Sequence, residues 1–389
     1  MNVTYFDNSA TTKVDPRVLN VMNPFFLENY GNPSSLHSLG KSAEEAMTSA
    51  REMVAAAINS TSGEVIFTGG GTEADNMALQ GYAFANRKRG NHIITTRIEH
   101  HAILNTCEFL EREGFRVTYL PVDEFGLVDL EKIKEAVTGE TLLVSVMVAN
   151  NEIGTIEPIR AIAEIAHDKG AVFHTDAVQS ITKVRTDVVK DHIDILSMSG
   201  HKFHAPKGIG GLYLKKGLKI RPLVYGGGQE RGLRSSTENI PGIVGIGKAI
   251  ELGMAEFEDD VAKMTQMRDR MISGVLSEIP DAHLNGHPSK RLCNNVHFRF
   301  DGVEGESLLI YLDQQGFCVS TGSACSSKAT GPSHVLSGLG LKREQMHGSL
   351  RASLSKFNTM EEIDRFLKVA PKVVKKLREM SPIYKTKVC

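Results

Sequence analysis

Residues 193–204, IDILSMSGHKFH, pair a short apolar run with a loop of small polar residues that contains Lys202. The apolar run at 193–196 predicts a buried strand, and residues 197–204 then form its exit loop. In an open α/β sheet, ligands bind at the carboxyl ends of the strands. A lysine there becomes a nucleophile when burial or a neighbouring cation lowers the pKa of its amine from about 10.4. Taken alone, the stretch fits a surface lysine as well as a lysine that binds a cofactor covalently.

The amino-acid composition is that of an ordinary globular protein. The 389 residues are enough for two domains. A formal net charge of -1 gives no electrostatic reason to expect nucleic acid or a membrane as partner. The start of the sequence lacks a secretory signal, and no apolar run approaches the ~20 residues that span a bilayer. We therefore expect a soluble, cytoplasmic protein.

Alternation of short apolar runs with amphipathic ones organises residues 42–214. Strands are predicted at residues 64–68, 92–96, 116–120, 142–148, 171–175, 193–197 and 211–214. Helices are predicted between them at residues 73–87, 102–113, 130–136 and 159–169. This order is typical of βαβ units, so we expect an α/β fold whose mostly parallel sheet has helices on both faces.

The remainder of the chain predicts a smaller α+β unit. A long helical pattern runs from Gly242 to about Glu278, and further elements are predicted at residues 295–300, 305–314, 317–320 and 360–378. We accordingly expect a large domain at residues 15–258. Residues 1–14 and 259–389 would form the small domain, which carries a loop around Cys325.

Residues 69–75, GGGTEAD, follow the first predicted strand and open a helix. A glycine turn at a helix N-terminus offers free N–H groups and the positive end of the helix dipole to a phosphate. Thr72 and Asp75 also have the spacing of a capping box. Because the stretch matches neither GxGxxG nor a Walker A loop, phosphate binding by Gly71 and Thr72 and a simple tight turn are equally good interpretations.

Polar side chains follow three other predicted strands. Asp176 and Gln179 follow one of them, and an aspartate there can hold a pyridinium nitrogen, although most such aspartates are helix caps. His100 follows another and could stack on a flat heterocycle, whereas the absence of HExxH spacing around His100 and His101 argues against a metal site. Asn151, in the stretch ANNEIG, places an amide at the end of a third.

Five cysteines are scattered along the chain without a CxxC pair. This pattern is too sparse for a disulfide framework and has the wrong spacing for zinc. Four have the surroundings of inert thiols, and these are Cys107, Cys293, Cys318 and Cys389. The fifth, Cys325, lies in STGSACSS at residues 320–327, where small polar neighbours indicate an exposed loop and an accessible, reactive thiol.

Considered together, these elements indicate one cofactor. A phosphate cradle, a ring-stacking histidine, a partner for a pyridinium nitrogen and a lysine that forms a Schiff base match pyridoxal 5'-phosphate. A further segment, GGGQERGLRSST at residues 226–237, is glycine-rich and basic, so it fits an anion site or a loop at a subunit boundary.

The chain resembles the cysteine desulfurases of the NifS/IscS type, which are fold-type I pyridoxal-phosphate enzymes. The resemblance spans almost the whole length. Its motifs are YFDNSATT at residues 5–12, YGNPSSLH at 30–37, NNEIG at 150–154, SGHK at 199–202 and GSAC at 322–325.

The resemblance implies a role for each matched residue. Lys202 would bind the cofactor covalently and move protons at the substrate α-carbon, while His100 stacks on the ring. Cys325 would be the nucleophile that takes the substrate sulfur as a persulfide, and Arg351 would hold the substrate carboxylate. The other cofactor-binding residues implied are Asp176 at the pyridinium nitrogen, Asn151 and Gln179 at the ring oxygen, and Gly71, Thr72, Ser199, His201 and Thr237 at the phosphate, with Gly200 beside them.

The same resemblance implies the substrate and the partners. L-cysteine would yield L-alanine, and the sulfur would pass to an iron–sulfur scaffold protein or another sulfur acceptor. Thr237 would reach the phosphate held by the partner subunit, which requires a homodimer. No metal site of its own is implied, with Cys325 a transient iron–sulfur cluster ligand during transfer.

Departures from the family pattern are few. Met147-Val148-Ala149 stands where a histidine often precedes the Asn-Asn pair, and Ser236 replaces a frequent glycine. The tail after Tyr384 is short, which puts in question a scaffold contact that relies partly on a longer tail.

Three alternatives stay open. The first is another fold-type I enzyme, such as an aminotransferase or a selenocysteine lyase, in which Cys325 is incidental. The second is a sulfur-carrying interaction protein with a vestigial cofactor site. The third is a phosphate- or nucleotide-binding protein that uses residues 69–72, and it is the weakest because a Walker lysine is absent.

Overall fold

A seven-stranded sheet forms the centre of the larger part of the molecule. The computed structural model describes residues 3–322, 332–381 and 384. The strands are β2 (Val65–Thr68), β3 (His92–Thr96), β4 (Arg116–Leu120), β5 (Thr141–Ser145), β6 (Val172–Asp176), β7 (Ile195–Ser199) and β8 (Gly210–Leu214). Their order is β2-β8-β7-β6-β5-β3-β4, and only β8 runs antiparallel to its two neighbours.

Helices cover both faces of this sheet. They are α1 (Pro16–Met22), α2 (Pro24–Leu27), α3 (Ser38–Ala57), α4 (Gly71–Asn76), α5 (Tyr82–Asn86), α6 (His101–Arg112), α7 (Leu130–Ala136), α8 (Ile159–Asp168) and α9 (Ile240–Ala255). Val144 and Phe173 point to the face where α3, α8 and α9 pack. Leu143 and Val172 point to the opposite face, against α4 to α6. Because successive strand residues are apolar on both sides, the sheet needs two covering layers.

A second, smaller unit has its own apolar core. Its strands are β9 (Ala282–Leu284), β10 (Asn295–Phe300) and β12 (Ser349–Ser353), which form an antiparallel sheet, and β1 (Thr4–Tyr5) and β11 (Phe317–Cys318), which pair in parallel. Its helices are α10 (Phe257–Glu278), α11 (Gly305–Asp313), α12 (His334–Gly338), α13 (Arg343–Met346) and α14 (Met360–Met380). Phe6, Phe317 and Phe366 pack against one another in this core.

The N-terminal segment connects the two units and leads to the site. Asp7 forms a bridge with Ser353 of β12, and Thr12 donates its backbone N–H to the carbonyl oxygen of His201 at 2.9 Å. Residues 7–12 therefore run from the small unit to the loop that follows β7.

The predicted fold class is confirmed, and each of the seven predicted strands overlaps an observed one. The helical pattern at 242–278 is two helices, because the chain turns at Glu256, which contacts Arg17 and Lys356. The capping box proposed for Thr72 and Asp75 is wrong: α4 begins at Gly71, so Thr72 is already inside the helix. The division into domains at residues 14/15 and 258/259 stays a prediction.

Within the described residues, no helix is both long enough and apolar enough to cross a membrane.

Candidate active site

One cavity of about 780 Å³ opens at the carboxyl ends of β6 and β7 and at the N-terminus of α4. It brings together ten of the predicted site residues although they are spread from residue 71 to residue 351. These are Gly71, Thr72, His100, Asn151, Asp176, Gln179, Ser199, His201, Lys202 and Arg351.

Lys202 lies in a short 3-10 turn, Gly200–Lys202, directly after β7. Its Nζ donates to the carbonyl oxygens of Ser9 at 2.6 Å and Ala10 at 2.7 Å. Gln179 Nε2 donates to the same Ser9 oxygen at 2.9 Å. The N-terminal segment thus holds the amine at the cavity wall, and of the two interpretations that residues 193–204 left open this position favours a lysine available to a ligand.

Asp176 ends β6, and its Oδ1 accepts the backbone N–H of Val178 at 2.8 Å. Burial raises the pKa of Asp176 to about 6, although the Val178 N–H and the charge of Lys202 oppose that rise. The carboxylate form is the one that these two partners stabilise. A buried carboxylate at this position is suited to hold a cationic ring nitrogen.

Asp75 was not predicted as a site residue, yet it also lines the cavity. It is 1% exposed, and its Oδ1 has no hydrogen-bond partner among the described residues. Burial raises the pKa of Asp75 well above its usual value, and the negative charge of Asp176 raises it further. Of the two neighbouring carboxyls, Asp176 therefore carries the charge and Asp75 the proton.

His100 caps α6, since its Nδ1 accepts the backbone N–H of Ala102 at 3.1 Å. This bond fixes the neutral tautomer with the proton on Nε2. Burial and then the charge of Lys202 lower the pKa of His100 to about 4. At neutral pH the ring is uncharged, which suits stacking on a flat heterocycle.

The N-terminus of α4 forms a cradle with three side chains, those of Thr72, Ser199 and His201. A Cβ added at Gly71 would lie 2.6 Å from Val178 Cγ2 and 3.2 Å from Ser199 Cβ. Only glycine allows the helix terminus to approach the end of β7 this closely. Free N–H groups beside hydroxyls and an imidazole are the donors that a phosphate needs.

Arg351 lies in the middle of β12 and is 2% exposed. Its Nη1 donates to the carbonyl oxygens of Asn151 at 3.0 Å and Gly322 at 2.7 Å. Its Nη2 donates to Asp7 Oδ1 at 2.9 Å. The guanidinium is thus fixed at the wall of the cavity, where it can bind a carboxylate.

A further wall of the cavity contains His101, Glu152 and His334, none of which was predicted as a site residue. The rings of His101 and His334 lie 4.5 Å apart between centroids, and His334 Nε2 donates to the carbonyl oxygen of Glu99 at 2.9 Å. Glu152 Oε2 accepts the hydroxyl of Ser333 at 2.6 Å. Burial raises the pKa of Glu152.

Of the predicted residues that the structure describes, two do not line the cavity. Gly200 is buried behind it, where an added Cβ would lie 2.9 Å from Ala205 Cβ, so its requirement is one of packing. Thr237 is exposed and lies outside the cavity. Cys325, predicted as the nucleophile, lies outside the described residues.

The arrangement fits pyridoxal 5'-phosphate. The missing Cβ of Gly71 lets the N-terminus of α4 lie against Val178 and Ser199, where its N–H groups suit a phosphate. Asp176, His100 and Lys202 line the same cavity and suit a ring nitrogen, a ring face and an aldehyde. Asp176 suits a cationic ring nitrogen, and the N-terminus of α4 suits the anionic arm of the same molecule.

Known proteins resemble this chain in both sequence and structure. A family model for class-V aminotransferases matches residues 4–366. A Clostridium botulinum protein named cysteine desulfurase IscS is 57% identical over 382 residues, which are 98% of this chain and 96% of that protein. The solved structure of a NifS-like protein is 42% identical, with a TM-score of 0.91 over 97% of this chain and 100% of its own. The structure of SspA in complex with cysteine is 36% identical, with a TM-score of 0.82 over 91% and 99%.

Proposed function

The chain belongs to the class-V aminotransferase family, and from this premise we propose that it is a cysteine desulfurase that uses pyridoxal 5'-phosphate. It removes the sulfur of L-cysteine, releases L-alanine and keeps the sulfur as a persulfide on Cys325. The observation that carries the proposal is the convergence of Lys202, Asp176, His100 and Arg351 on one cavity. The relatives named cysteine desulfurase and the SspA structure with bound cysteine support the choice of substrate.

Four contacts would hold the cofactor. Gly71, Thr72, Ser199 and His201 would hold the phosphate, and Asp176 would pair with the ring nitrogen. His100 would stack on the ring, and Asn151 and Gln179 would serve the ring oxygen side. When bound, the cofactor supplies an electron sink for the substrate α-carbon.

Lys202 and His100 handle protons in this proposal. The Nζ of Lys202 removes the proton from the substrate α-carbon and later returns one, a role that needs an amine within reach of the cavity centre. The neutral ring of His100 presents its Nε2 proton, because Nδ1 is already bonded to the backbone of Ala102. Arg351 holds the substrate carboxylate and so fixes the α-carbon relative to Lys202.

Sulfur leaves by attack of a thiolate. The Cys325 thiolate forms a bond with the substrate sulfur, the substrate C–S bond breaks, and its electron pair stays on the β-carbon. A proton then converts that carbon to the methyl group of L-alanine. The sulfur remains as a Cys325 persulfide until an iron–sulfur scaffold protein or another acceptor removes it, and the thiolate is ready for the next substrate.

The proposal includes a cytoplasmic homodimer. Thr237 is exposed and outside the cavity of its own subunit, which suits a contact with the phosphate of the partner's site. Exposed apolar side chains at Leu27, Tyr30 and Leu36 offer surface for a second copy. Among the described residues, the thiols of Cys107 and Cys293 are buried and free, a state that a reducing compartment would preserve.

The decisive experiment mixes the purified protein with L-cysteine and a thiol reductant and quantifies alanine and sulfide. Lys202→Ala should lose both products together with the visible chromophore. Cys325→Ala should lose sulfide release by at least about 100-fold, the usual scale for a nucleophile. Cys318→Ala is the matched control and should keep full turnover, because Cys318 lies in β11 outside the cavity.

Two outcomes would contradict the proposal. Undiminished sulfide from Cys325→Ala would exclude the persulfide mechanism and favour a lyase or aminotransferase in which that thiol is incidental. A colourless wild-type protein without alanine formation would exclude the enzyme altogether and leave a sulfur-carrying interaction protein.

A further inference from the structure

Asp7 is the one carboxylate that forms an ion pair with Arg351 among the described residues. The pair joins the N-terminal segment to β12, with Nη2 and Oδ1 at 2.9 Å. The side chain of Asp7 is 19% exposed and that of Arg351 is 2% exposed, so water screens the pair only in part.

The guanidinium of Arg351 keeps some of its N–H donors for a ligand. A guanidinium carries five N–H groups. Three are used, by the carbonyl oxygens of Asn151 and Gly322 and by Asp7. Nε has no hydrogen-bond partner among the described residues. An incoming carboxylate therefore binds a guanidinium that already bonds one anion.

The backbone holds Asp7 in place independently of Arg351. Asp7 forms a bridge with Ser353, and the next residue, Asn8, donates its side-chain N–H to the Ser353 carbonyl oxygen at 2.9 Å. Ser9 N donates to Ser353 Oγ at 2.8 Å. Because the segment is anchored on β12 by these bonds, the Asp7 carboxylate stays beside the guanidinium when a ligand arrives.

We propose that Asp7 is a positioning residue that sets the affinity of Arg351 for the α-carboxylate of the amino acid substrate. It does so in two opposing ways. Its hydrogen bond orients the guanidinium, and its negative charge competes with the incoming carboxylate. The inference rests on the proposed function, because it uses Arg351 as the carboxylate site of an amino acid enzyme.

The two effects separate in two variants. Asp7→Asn keeps an oxygen that accepts the Nη2 proton but removes the charge, so carboxylate ligands should bind about tenfold tighter. Asp7→Ala removes the hydrogen bond as well, so the guanidinium loses its fixed orientation. Carboxylate ligands should then bind Asp7→Ala less tightly than Asp7→Asn. The wild-type enzyme keeps this charge although it weakens carboxylate binding, because the charge of Asp7 offsets the desolvation of the buried Arg351 in the unliganded enzyme.

The experiment titrates the holoenzyme with L-alanine, the product, in a calorimeter. Ethylamine, which is alanine without its carboxylate, serves as the matched ligand. Asp7→Asn should lower the dissociation constant of L-alanine about tenfold and leave that of ethylamine unchanged. The KM for L-cysteine should fall by a similar factor without a rise in kcat. Glu258→Gln is the control variant, since Glu258 pairs with Arg185 on the exposed surface.

Unchanged or weaker L-alanine binding by folded Asp7→Asn would overturn the proposal, as would equal shifts for L-alanine and ethylamine. If Asp7→Asn fails to fold, Asp7→Glu replaces it. That variant keeps the charge on a longer arm, and an L-alanine affinity above the wild-type value would then overturn the competition. Failure of the proposed function gives a different result. In that case the wild-type protein forms no alanine from L-cysteine, whether or not it binds L-alanine.

Discussion

At the residue scale, the buried carboxyl of Asp75 makes stability depend on pH. Its folded pKa is raised, so the native state holds a proton that the unfolded chain has already lost above about pH 4. Stability therefore falls as pH rises through the interval between the two pKa values. Asp75→Asn removes this contribution. The free energy of unfolding of the variant minus that of the wild type should rise with pH, by up to about 1.4 kcal/mol per unit.

Denaturant unfolding of the apoprotein between pH 5 and 8 measures this difference. Asp191→Asn is a suitable control, because Asp191 is partly exposed and accepts only the backbone N–H of Asp187 at 3.0 Å. A difference for Asp75→Asn that stays constant across the pH range would show that Asp75 is ionised in the folded protein, contrary to the assignment of the proton to this residue.

Strand ends predicted which side chains would meet at one cavity, whereas their chemical roles stay predictions. Lys202, Asp176 and His100 each follow a predicted strand, and all three line the cavity. Asp75 and His334 do not follow a predicted strand. Asp75 was interpreted as part of a capping box, and His334 reaches the cavity because α12 packs beside Glu99. Pairing across such sequence distances is set by tertiary structure, which no local pattern reports.

At the element scale, the loop after β8 depends on one buried ion pair. Glu230 and Arg231 both have left-handed backbone conformations, with φ of 46° and 59°. Glu230 Oε1 and Oε2 accept from Arg51 Nη2 and Nη1, each at 2.7 Å, and Oε2 also accepts the N–H of Phe67 at 3.0 Å. This carboxylate connects the loop to α3 and to β2, just before the glycine turn at residues 69–71.

Glu230→Gln leaves Arg51, whose side chain is 13% exposed, without a counter-charge, so the free energy of unfolding should fall by about 2 kcal/mol. Urea unfolding measures the loss. The control is Glu164→Gln, which breaks the exposed pair with Arg160 and should change stability by less than about 0.5 kcal/mol. Equal, small effects of the two substitutions would mean that backbone contacts alone hold the loop.

Elements were predictable where their apolar pattern is simple. Six of the seven strands of the large sheet are short buried runs, and the exception is β4, where only Leu120 is buried. All seven were predicted, with errors of up to three residues at their ends. The strand β12 was not, because it carries Arg351 at its centre, and a buried arginine is the opposite of what a strand pattern suggests. The residue that breaks the pattern is the one that the proposed function uses.

At the scale of the whole molecule, the proposed homodimer makes a prediction about which subunit supplies Thr237. Lys202→Ala inactivates the site of its own subunit. If Thr237 contacts the phosphate of the partner's site, Thr237→Ala weakens that other site. A heterodimer of the two variants then has one site with both substitutions and one site with neither.

The two variants, each with a different affinity tag, are refolded together, and the heterodimer is isolated by both tags. Because one of its two sites is intact, the heterodimer should form alanine from L-cysteine at about half the rate of the wild-type dimer. Both parent homodimers should stay well below that rate. If Thr237 instead contacted the phosphate of its own subunit, the site that keeps Lys202 would lack Thr237. The heterodimer would then show no recovery of activity. Thr237 is exposed and lies outside the cavity, which the other residues proposed to bind the phosphate line, and this position favours restoration.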